Sequence, residues 1–235
     1  MLDHHEYEKK PISNVAGELK SLARELDQKH RLQRKIQFLL DIRGYFIVNQ
    51  IQGCYIEFGV YRGEMTFCAT DILDKTKCLS HYIGLDTFEG EPKLSESERA
   101  ANPFIKENDY SADYDETIQF LKKAVGDRVS LIKGDFRNDE VLSKIEPYIP
   151  IALCVIDCNL LSSIKKSIEY SLPRMKPSGV IFVDDLFVNM HTGRCEVLNI
   201  LEKEAKKNNL KLIEYNTYAP CAKAFIVVKD ENGRK

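Results

Sequence analysis

The chain has 235 residues, of which 43% are hydrophobic and 30% charged, and its formal net charge is -2. Its lysines and arginines are spread along the chain and balanced by acids, which argues against a nucleic-acid-binding protein. No apolar run approaches the roughly 18 residues that span a bilayer, and the polar segment Met1–Lys10 lacks a signal-peptide core. We therefore expect a cytoplasmic protein that binds neither nucleic acid nor membrane, with one α/β domain and a helical extension.

The first 51 residues predict two helical segments. Apolar side chains recur at helical spacing from Val15 to Leu26 and again from Leu32 to Phe46. We expect this N-terminal helical extension, residues 1–51, to pack against the sheet or against a sister subunit in a homo-oligomer. It could also supply a wall of the substrate pocket.

From residue 52 to residue 235 the strand and helix patterns alternate. This order predicts a single α/β domain with a doubly wound, seven-stranded, mostly parallel sheet of Rossmann-like type, in which a final hairpin leaves one antiparallel strand at the edge. The irregular segment at about 87–113 is long for a loop, and we interpret it as a lid over the cofactor. The predicted strands are 54–58, 82–86, 129–133, 151–157, 179–184, 211–215 and 223–229, and the predicted helices are 64–74, 113–124, 139–145, 162–171 and 193–208.

The stretch Gly53–Leu73 contains an apolar run that ends in Glu57-x-Gly59-x-x-x-Gly63 and continues as a helical pattern. Glycines let the backbone turn tightly and approach a ligand, and the N-terminus of a helix attracts carboxylate or phosphate groups. A carboxylate at Glu57 would repel a pyrophosphate but can pair with the amino group of an amino-acid-like cofactor. The pattern therefore favours the S-adenosylmethionine (SAM) loop of class I methyltransferases over the dinucleotide fingerprint G-x-G-x-x-G, with a merely structural turn as the alternative.

Acidic residues also close the next two apolar runs. Ligands of open α/β sheets lie at the carboxyl ends of the strands, so these residues are placed at the site by geometry. Asp86 can accept hydrogen bonds from both ribose hydroxyls of an adenosine. Asp135 can take the adenine amino group, and the Phe136 ring can pack on the base. Each acid alone could instead be a helix N-cap.

Three further carboxylates close the fourth and fifth strands. Asp157 ends one strand, and Asp184 and Asp185 end its neighbour. Converging carboxylates repel one another unless a cation lies between them, and oxygen ligands suit Mg²⁺. Such an ion can lower the pKa of a substrate hydroxyl and prepare it to attack a methyl group. The alternative is that Asp184 caps the next segment and Asp185 is solvated.

The seven cysteines form no C-x-x-C pair, and several fall in apolar segments. We interpret all of them as reduced thiols. They are Cys54, Cys68, Cys78, Cys154, Cys158, Cys195 and Cys221.

Four blocks of the chain carry a family resemblance: GCYIEFGVYRGEMTF, YIGLDTFEGEP, VSLIKGDF and ALCVIDCNLLSSIKKSIEYSLPRMKPSGVIFVDDL. Together they resemble the macrocin and mycinamicin III O-methyltransferase family of class I SAM-dependent enzymes, which methylate sugar hydroxyls in macrolide biosynthesis. The similarity runs from about Gln52 to Phe225, and Asp86–Pro92 and Ile156–Ser163 are its most specific parts. By this resemblance the cofactor-binding residues are Glu57, Gly59, Gly63, Thr66, Asp86, Phe88, Asp135 and Phe136, and the Mg²⁺ ligands are Asp157, Asp184 and Asp185.

The acceptor half of the chain departs from the family pattern. The family shows I-D-x-D-x-Y-x-S around its first metal ligand, whereas this chain has Asn159 and Leu161 in place of the second acid and the aromatic residue. Leu186 stands where the family usually has Tyr, and Phe187–Thr192 is an unusual insertion. The cofactor half therefore matches the family better than the acceptor half does.

These patterns predict a Mg²⁺-dependent SAM O-methyltransferase that modifies a hydroxyl of a sugar or of another small natural-product or saccharide metabolite. Asp157 and His191 are the candidate catalytic residues that remove the hydroxyl proton. Two alternatives stay open: a metal-independent methyltransferase for a nitrogen or a phosphorylated small molecule, and a SAM-binding protein that has lost turnover. A nicotinamide-dependent oxidoreductase is disfavoured by Glu57 and by the missing dinucleotide fingerprint.

Overall fold

The computed structural model describes residues 12–187, 193–218 and 221–231. Within them, one sheet is built from β1 (Gly53–Phe58), β2 (Leu79–Asp86), β3 (Val129–Lys133), β4 (Ile151–Ile156), β5 (Met175–Val183), β6 (Leu210–Tyr218) and β7 (Ala222–Lys229). The α-helices are α1 (Ile12–Val48), α2 (Glu64–Leu73), α3 (Glu96–Ala101), α4 (Tyr114–Val125), α5 (Asp139–Ser143), α6 (Leu161–Ser171) and α7 (Glu196–Lys207).

The strands lie in the order β3-β2-β1-β4-β5-β7-β6. The first five in this order are parallel, and β7 runs antiparallel to both β5 and β6. This confirms the predicted doubly wound, mostly parallel, seven-stranded sheet. One detail of that prediction was wrong, because the antiparallel strand β7 lies second from the edge and β6 forms the edge. The chain reverses its direction of winding between β1 and β4, and ligands of such sheets bind at that switch point.

Helices cover both faces of the sheet. Apolar side chains of α1, α2 and α4 pack on one face, and those of α5, α6 and α7 pack on the other. Within β1, Tyr55 belongs to the first cluster and Ile56 to the second. Because both faces are buried, the central strands read as nearly continuous apolar runs rather than as an alternating pattern.

The N-terminal region forms the single long helix α1 and not two segments, which corrects the sequence-based expectation. At 37 residues the helix extends about 55 Å. Its second half belongs to the core: the Phe38 ring lies 4.5 Å from that of Phe182, and the Tyr45 hydroxyl donates a 2.9 Å hydrogen bond to the Ser178 carbonyl. The predicted boundary between residues 51 and 52 falls between α1 and β1.

The segment predicted as a lid, residues 87–113, contains the short helix α3. Ser95 and Glu98 form a capping box at its N-terminus, which explains why a helix begins in this polar stretch. Gly90 allows the segment to fold back on itself, since its φ is 91° and a Cβ there would lie 2.4 Å from the Asn108 backbone. The segment therefore leaves the sheet and folds back on itself like a hairpin.

No disulfide forms among the cysteines of the described residues, and Cys54, Cys78 and Cys154 are buried, as their apolar segments led us to expect for two of them. Among the helices of the described residues, none combines the length and the apolar character that crossing a membrane requires.

Candidate active site

A cavity of about 680 Å³ opens at the carboxyl ends of β1, β2 and β4. Its walls come from the loop after β1, from the ends of these strands, from the segment 87–113 and from α1. This position is the switch point of the sheet, where the sequence predicted a ligand. Residues of the wall include Lys35, Gly59, Asp86, Glu91, Phe136 and Asp157.

The backbone after β1 makes a tight turn that only glycine permits. Gly59 has a φ of 86°, and a Cβ on it would lie 2.1 Å from the carbonyl oxygen of Asp157. Gly63, with a φ of 78°, stands directly before α2. The two predicted glycines therefore bring β1 against β4 and place the N-terminus of α2 beside the cavity.

Glu57 is a buried carboxyl group at the carboxyl end of β1, with only 1% of its surface exposed. Its Oε2 atom accepts hydrogen bonds from the Tyr55 hydroxyl, at 2.6 Å, and from the Thr66 hydroxyl. Burial raises the pKa of the Glu57 carboxyl to about 8, although the hydrogen bonds from Thr66 and Tyr55 act in the opposite direction. Thr66 thus holds Glu57 in place, and Glu57 lines the cavity.

Asp86 ends β2 and organises the loop that follows β1. Its Oδ2 atom accepts backbone N–H bonds from Val60 and Tyr61, each at 2.8 Å, and its Oδ1 atom accepts one from Phe88 at 2.7 Å. A carboxylate has about four lone-pair positions, so these bonds leave room for one ligand hydroxyl rather than for two. Asp86 lines the cavity, but it also holds the cofactor loop in shape.

Asp135 and Phe136 both line the cavity at the end of β3. The Asp135 carboxylate binds the Arg137 side chain through both oxygens, with the shortest contact at 2.7 Å. Although burial acts to raise it, the pKa of Asp135 lies below its ordinary value because Arg137 stabilises the carboxylate. Its adenine-binding role, which stays a prediction, would have to compete with this pair.

Phe88, another residue predicted to bind the cofactor, packs in the core, with its ring 5.2 Å from that of Tyr114.

The ends of β4 and β5 bring Asp157 and Asp184 together. The Asp157 amide continues the ladder to β1 through a 2.9 Å bond to Phe58, and the Asp184 amide does the same toward Ile156. Burial, and then the Asp157 carboxylate, raise the pKa of Asp184 to about 8. Asp185 lies close enough to contribute to that rise and is half-buried.

The cation beside this acidic pair is a residue of α1. The Lys35 ammonium forms a hydrogen-bonded ion pair with Oδ2 of Asp157 and lies 3.5 Å from Oδ2 of Asp184. Burial acts to lower the pKa of Lys35, but the carboxylates of Asp157 and Asp184 outweigh it and hold that pKa above its ordinary value. Lys35 therefore neutralises part of the negative charge of Asp157 and Asp184, the role that the sequence analysis gave to a metal ion.

The predicted Mg²⁺ site does not fit the side chains as they are placed. Within residues 12–187, 193–218 and 221–231, no group of three His, Cys, Asp or Glu side chains is arranged to hold a metal ion. The Oδ2 atoms of Asp157 and Asp184 both face the Lys35 ammonium, which fills the position between them. The other predicted base, His191, lies outside the described residues.

The segment 87–113 is hydrogen-bonded to the residues that follow β4. The Asn159 side-chain amide donates a 2.5 Å hydrogen bond to Oε1 of Glu91, and the Ser162 hydroxyl donates to Glu98. Burial raises the pKa of Glu91, while the Asn159 bond acts against it. Asn159, which replaces the second acid of the resembled family, thus links β4 to this segment.

Residues 56–186 match a protein family described as a methyltransferase domain. The chain belongs to this family of methyltransferases. The match covers 131 of the 235 residues and contains Glu57, the loop after β1, Asp86, Asp135, Asp157 and Asp184. The protein is thus an enzyme, a SAM-dependent methyltransferase. No sequence in a set of curated proteins matches the chain significantly.

Solved structures share the fold of this methyltransferase at low sequence identity. The O-methyltransferase NovP has a TM-score of 0.63 and 17% identity, over 83% of this chain and 80% of NovP. The calicheamicin methyltransferase CalS11, also described as a TDP-rhamnose 3'-O-methyltransferase, has a TM-score of 0.61 and 19% identity, over 94% of this chain and 88% of CalS11. MycE, from mycinamycin biosynthesis and solved with Mg and SAH, has a TM-score of 0.51 and 17% identity, over 85% of this chain and 50% of MycE.

The cavity of the methyltransferase fits SAM by the chemistry of its donors and its shape. Glu57 offers a buried carboxylate for an amino group, Gly59 allows a close approach to the backbone, and Phe136 offers an aromatic face. The volume of about 680 Å³ lies within the range of sites for small molecules and cofactors. The predicted residues Glu57, Gly59, Asp86, Asp135, Phe136 and Asp157 all line this one cavity.

Two residues of the methyltransferase site were missed in the sequence. Tyr55 supports Glu57, and the alternation of a strand gives the signal, because residues two apart share a face. Lys35 lies in the apolar helical pattern between Leu32 and Leu39, where a charged side chain is out of place. A lysine on an otherwise apolar helix face indicates a buried acidic partner, because lysine is rarely buried unless it is paired.

Proposed function

We propose that the protein is an O-methyltransferase that transfers the methyl group of SAM to a hydroxyl of a sugar or of a sugar-bearing metabolite. The observation that carries the proposal is the placement of two differently supported carboxyl groups at one cavity. Glu57 lies at the end of β1, among hydroxyl donors, and Asp157 lies at the end of β4, against a lysine. The first suits the cofactor and the second suits the acceptor.

The cofactor half of the proposal follows from charge. SAM carries an amino group, and a carboxylate buried with two hydroxyl donors is held ready to bind it. Bringing an ammonium group to Glu57 favours the ionised carboxylate and returns its pKa toward its ordinary value of 4.5. Asp86 keeps the loop after β1 closed around the same end of the cavity.

The acceptor half follows from the neighbourhood of Asp157. SAM, when bound, supplies an electrophilic methyl group on a sulfonium centre. Asp157 lines the cavity and accepts the proton that the acceptor hydroxyl loses, while Lys35 fixes the direction of its carboxylate. The segment 87–113, held by Asn159, covers this side and keeps water away from the acceptor.

A hydroxyl-rich acceptor suits the polar wall of the cavity. Ionisable or amide side chains from three regions reach it: Lys35 from α1, Glu91 from the segment 87–113, and Asp157 and Asn159 from the end of β4. Such groups bind hydroxyls through hydrogen bonds in both directions. The description of the structural neighbour CalS11 as a TDP-rhamnose 3'-O-methyltransferase supports a sugar as the acceptor.

The test begins with calorimetric titration of SAM, with NAD as a comparison ligand. We expect SAM to bind and NAD not to bind. Methyl-labelled SAM is then incubated with the wild-type protein and a panel of nucleotide sugars, glycosides and catechols. The same panel is incubated with the Glu57→Gln variant as the control. Label in a sugar product, formed by the wild-type protein alone, supports the proposal. Binding of NAD without binding of SAM, or labelling of no hydroxylated acceptor, would overturn it.

A further inference from the structure

Lys35 reaches the active site because of its position on α1. Leu32, Lys35 and Leu39 are three and four residues apart, so they follow one another along one side of the helix. Leu39 is fully buried, and the Lys35 side chain is only 19% exposed. The apolar face of α1 therefore carries a charged group into the protein where the ends of β4 and β5 present Asp157 and Asp184.

The packing of the next helical turns fixes the rotation of α1. The Phe38 ring lies 4.5 Å from Phe182 and 5.3 Å from Tyr218, and the Tyr218 hydroxyl donates a 3.0 Å hydrogen bond to Asp41. A rigid helix held on the sheet by these contacts cannot withdraw Lys35 without breaking them. The fold thus fixes the backbone position of Lys35, and its ion pair with Asp157 holds the ammonium there.

The ammonium group lies against two of the three acids that the sequence predicts as metal ligands. It is bonded to Asp157 and lies 3.5 Å from Asp184. A divalent cation such as Mg²⁺ takes about six oxygen ligands, commonly one or two carboxylates together with several waters, so it would need the space that the ammonium fills. Lysine provides a single charge and three N–H donors on a compact head. Two of these directions face Asp157 and Asp184, and the side chain also lines the cavity.

We propose that Lys35 is a built-in replacement for the divalent cation: its ammonium occupies the position between Asp157 and Asp184, orients Asp157 and contacts the acceptor oxygen, so that this methyltransferase works without a bound metal. This inference rests on the proposed function, since it gives a role to Lys35 in the same site. It also makes α1 part of the active site, with Lys35 as a catalytic residue that touches both Asp157 and the acceptor.

The experiment measures Mn²⁺ binding by electron paramagnetic resonance, with wild-type protein and with Lys35→Met. Methionine keeps the length and the apolar stem of lysine but not its charge. We expect no site-specific Mn²⁺ binding in the wild type. In Lys35→Met the freed carboxylates should bind one Mn²⁺ at least roughly tenfold more tightly than the wild type does. Lys35→Arg restores a cation and should again exclude Mn²⁺.

Lys20→Ala is the matched control, because Lys20 is an exposed lysine on the same helix. It should leave Mn²⁺ binding as in the wild type. Wild-type protein that binds Mn²⁺ as tightly as Lys35→Met would overturn the proposal, since the metal would then displace the lysine. A Lys35→Met variant that stays folded by circular dichroism but gains no Mn²⁺ site would overturn it as well.

A SAM titration in EDTA keeps this inference separate from the proposed function. If the wild type binds SAM in EDTA and excludes Mn²⁺, the cofactor half of the proposed function and this inference are both supported. If the wild type fails to bind SAM, the proposed function fails, and the Mn²⁺ result still decides whether Lys35 occupies the cation position.

Discussion

Replacement of Glu57 by Gln tests the central feature of the cofactor site. Glutamine has nearly the same shape, and its carbonyl oxygen can accept the hydrogen bonds that Tyr55 and Thr66 now donate to Oε2. The substitution therefore removes a buried charge and keeps the packing. We expect opposite effects on stability and on binding: a more stable protein without ligand, and weaker binding of SAM.

The effect on stability depends on pH, and its sign follows from the raised pKa. The carboxyl of residue 57 has an ordinary pKa of 4.5 and a pKa of about 8 in the folded protein. A raised pKa means that the folded state keeps its proton longer than the unfolded state does. The stability associated with this proton is complete below pH 4.5 and is lost as the pH rises through 8.

The size of this loss follows from the same pKa difference. An interval of about 3.5 pH units corresponds to about 5 kcal/mol of unfolding free energy at pH values above 8. Glutamine does not ionise, so the variant avoids the loss, but its buried amide N–H groups cost about 1–3 kcal/mol. We expect the variant to exceed the wild type by about 2 kcal/mol at pH 8.5 and to have no advantage at pH 5.

The effect on binding is larger and has the opposite sign. Loss of a desolvated carboxylate facing an amino group should weaken SAM binding roughly 100-fold, or about 2.7 kcal/mol. Near pH 7 the wild-type Glu57 carboxyl is mostly protonated, so SAM binding should release about one proton. Calorimetry in buffers of different ionisation enthalpy measures this release directly, and the variant should show none.

The assay for stability is urea unfolding followed by circular dichroism at pH 5, 7 and 8.5. Glu202→Gln, the same chemical change at an exposed position on α7, serves as the control and should leave the pH profile unchanged. The reasoning is refuted if the advantage of Glu57→Gln does not grow with pH, or if the wild type binds SAM without releasing a proton.

Three further substitutions test the surroundings. Asn159→Asp replaces the 2.5 Å hydrogen bond to Glu91 by a contact between two carboxylates, and their repulsion should expose the segment 87–113 to limited proteolysis. Asn159→Gln is the control, and equal cleavage of the two variants would contradict this prediction. Gly59→Ala should destabilise the protein by more than about 3 kcal/mol in urea unfolding, because its Cβ would meet the Asp157 carbonyl at 2.1 Å; a smaller loss would show that the turn can relax. Asp86→Asn should weaken SAM binding roughly tenfold by loosening the backbone N–H bonds of the loop after β1, and unchanged affinity in calorimetry would exclude this role.

Much of the cofactor half could be predicted from the sequence because its signals are local. An apolar run that ends in Glu57 and glycines fixes both the strand and the turn, whatever packs around it. Strand ends are also local features, and parallel strands bring their carboxyl ends to one edge of the sheet. Glu57, Asp86, Asp135 and Asp157 therefore line one cavity, as their positions predicted.

The partners of these carboxylates were not predictable in the same way. Both carboxylate oxygens of Asp135 accept hydrogen bonds from Arg137. Most of the hydrogen bonds that Asp86 can accept come from backbone N–H groups. A carboxylate at a strand end is free for a ligand only to the extent that its neighbours do not use it. Which neighbours use it depends on side-chain directions that no spacing in the sequence records.

The sequence by itself determined the strands, the doubly wound type of sheet and the strand ends where the cofactor belongs, since these depend on local patterns along the chain. Only the tertiary structure decided what faces the acidic pair at β4 and β5. Lys35 and Asp157 are 122 residues apart, and they meet because the buried face of α1 docks on the sheet through Phe38 and Tyr218. An ion pair of this kind is a property of packing, and packing is settled by the whole chain at once.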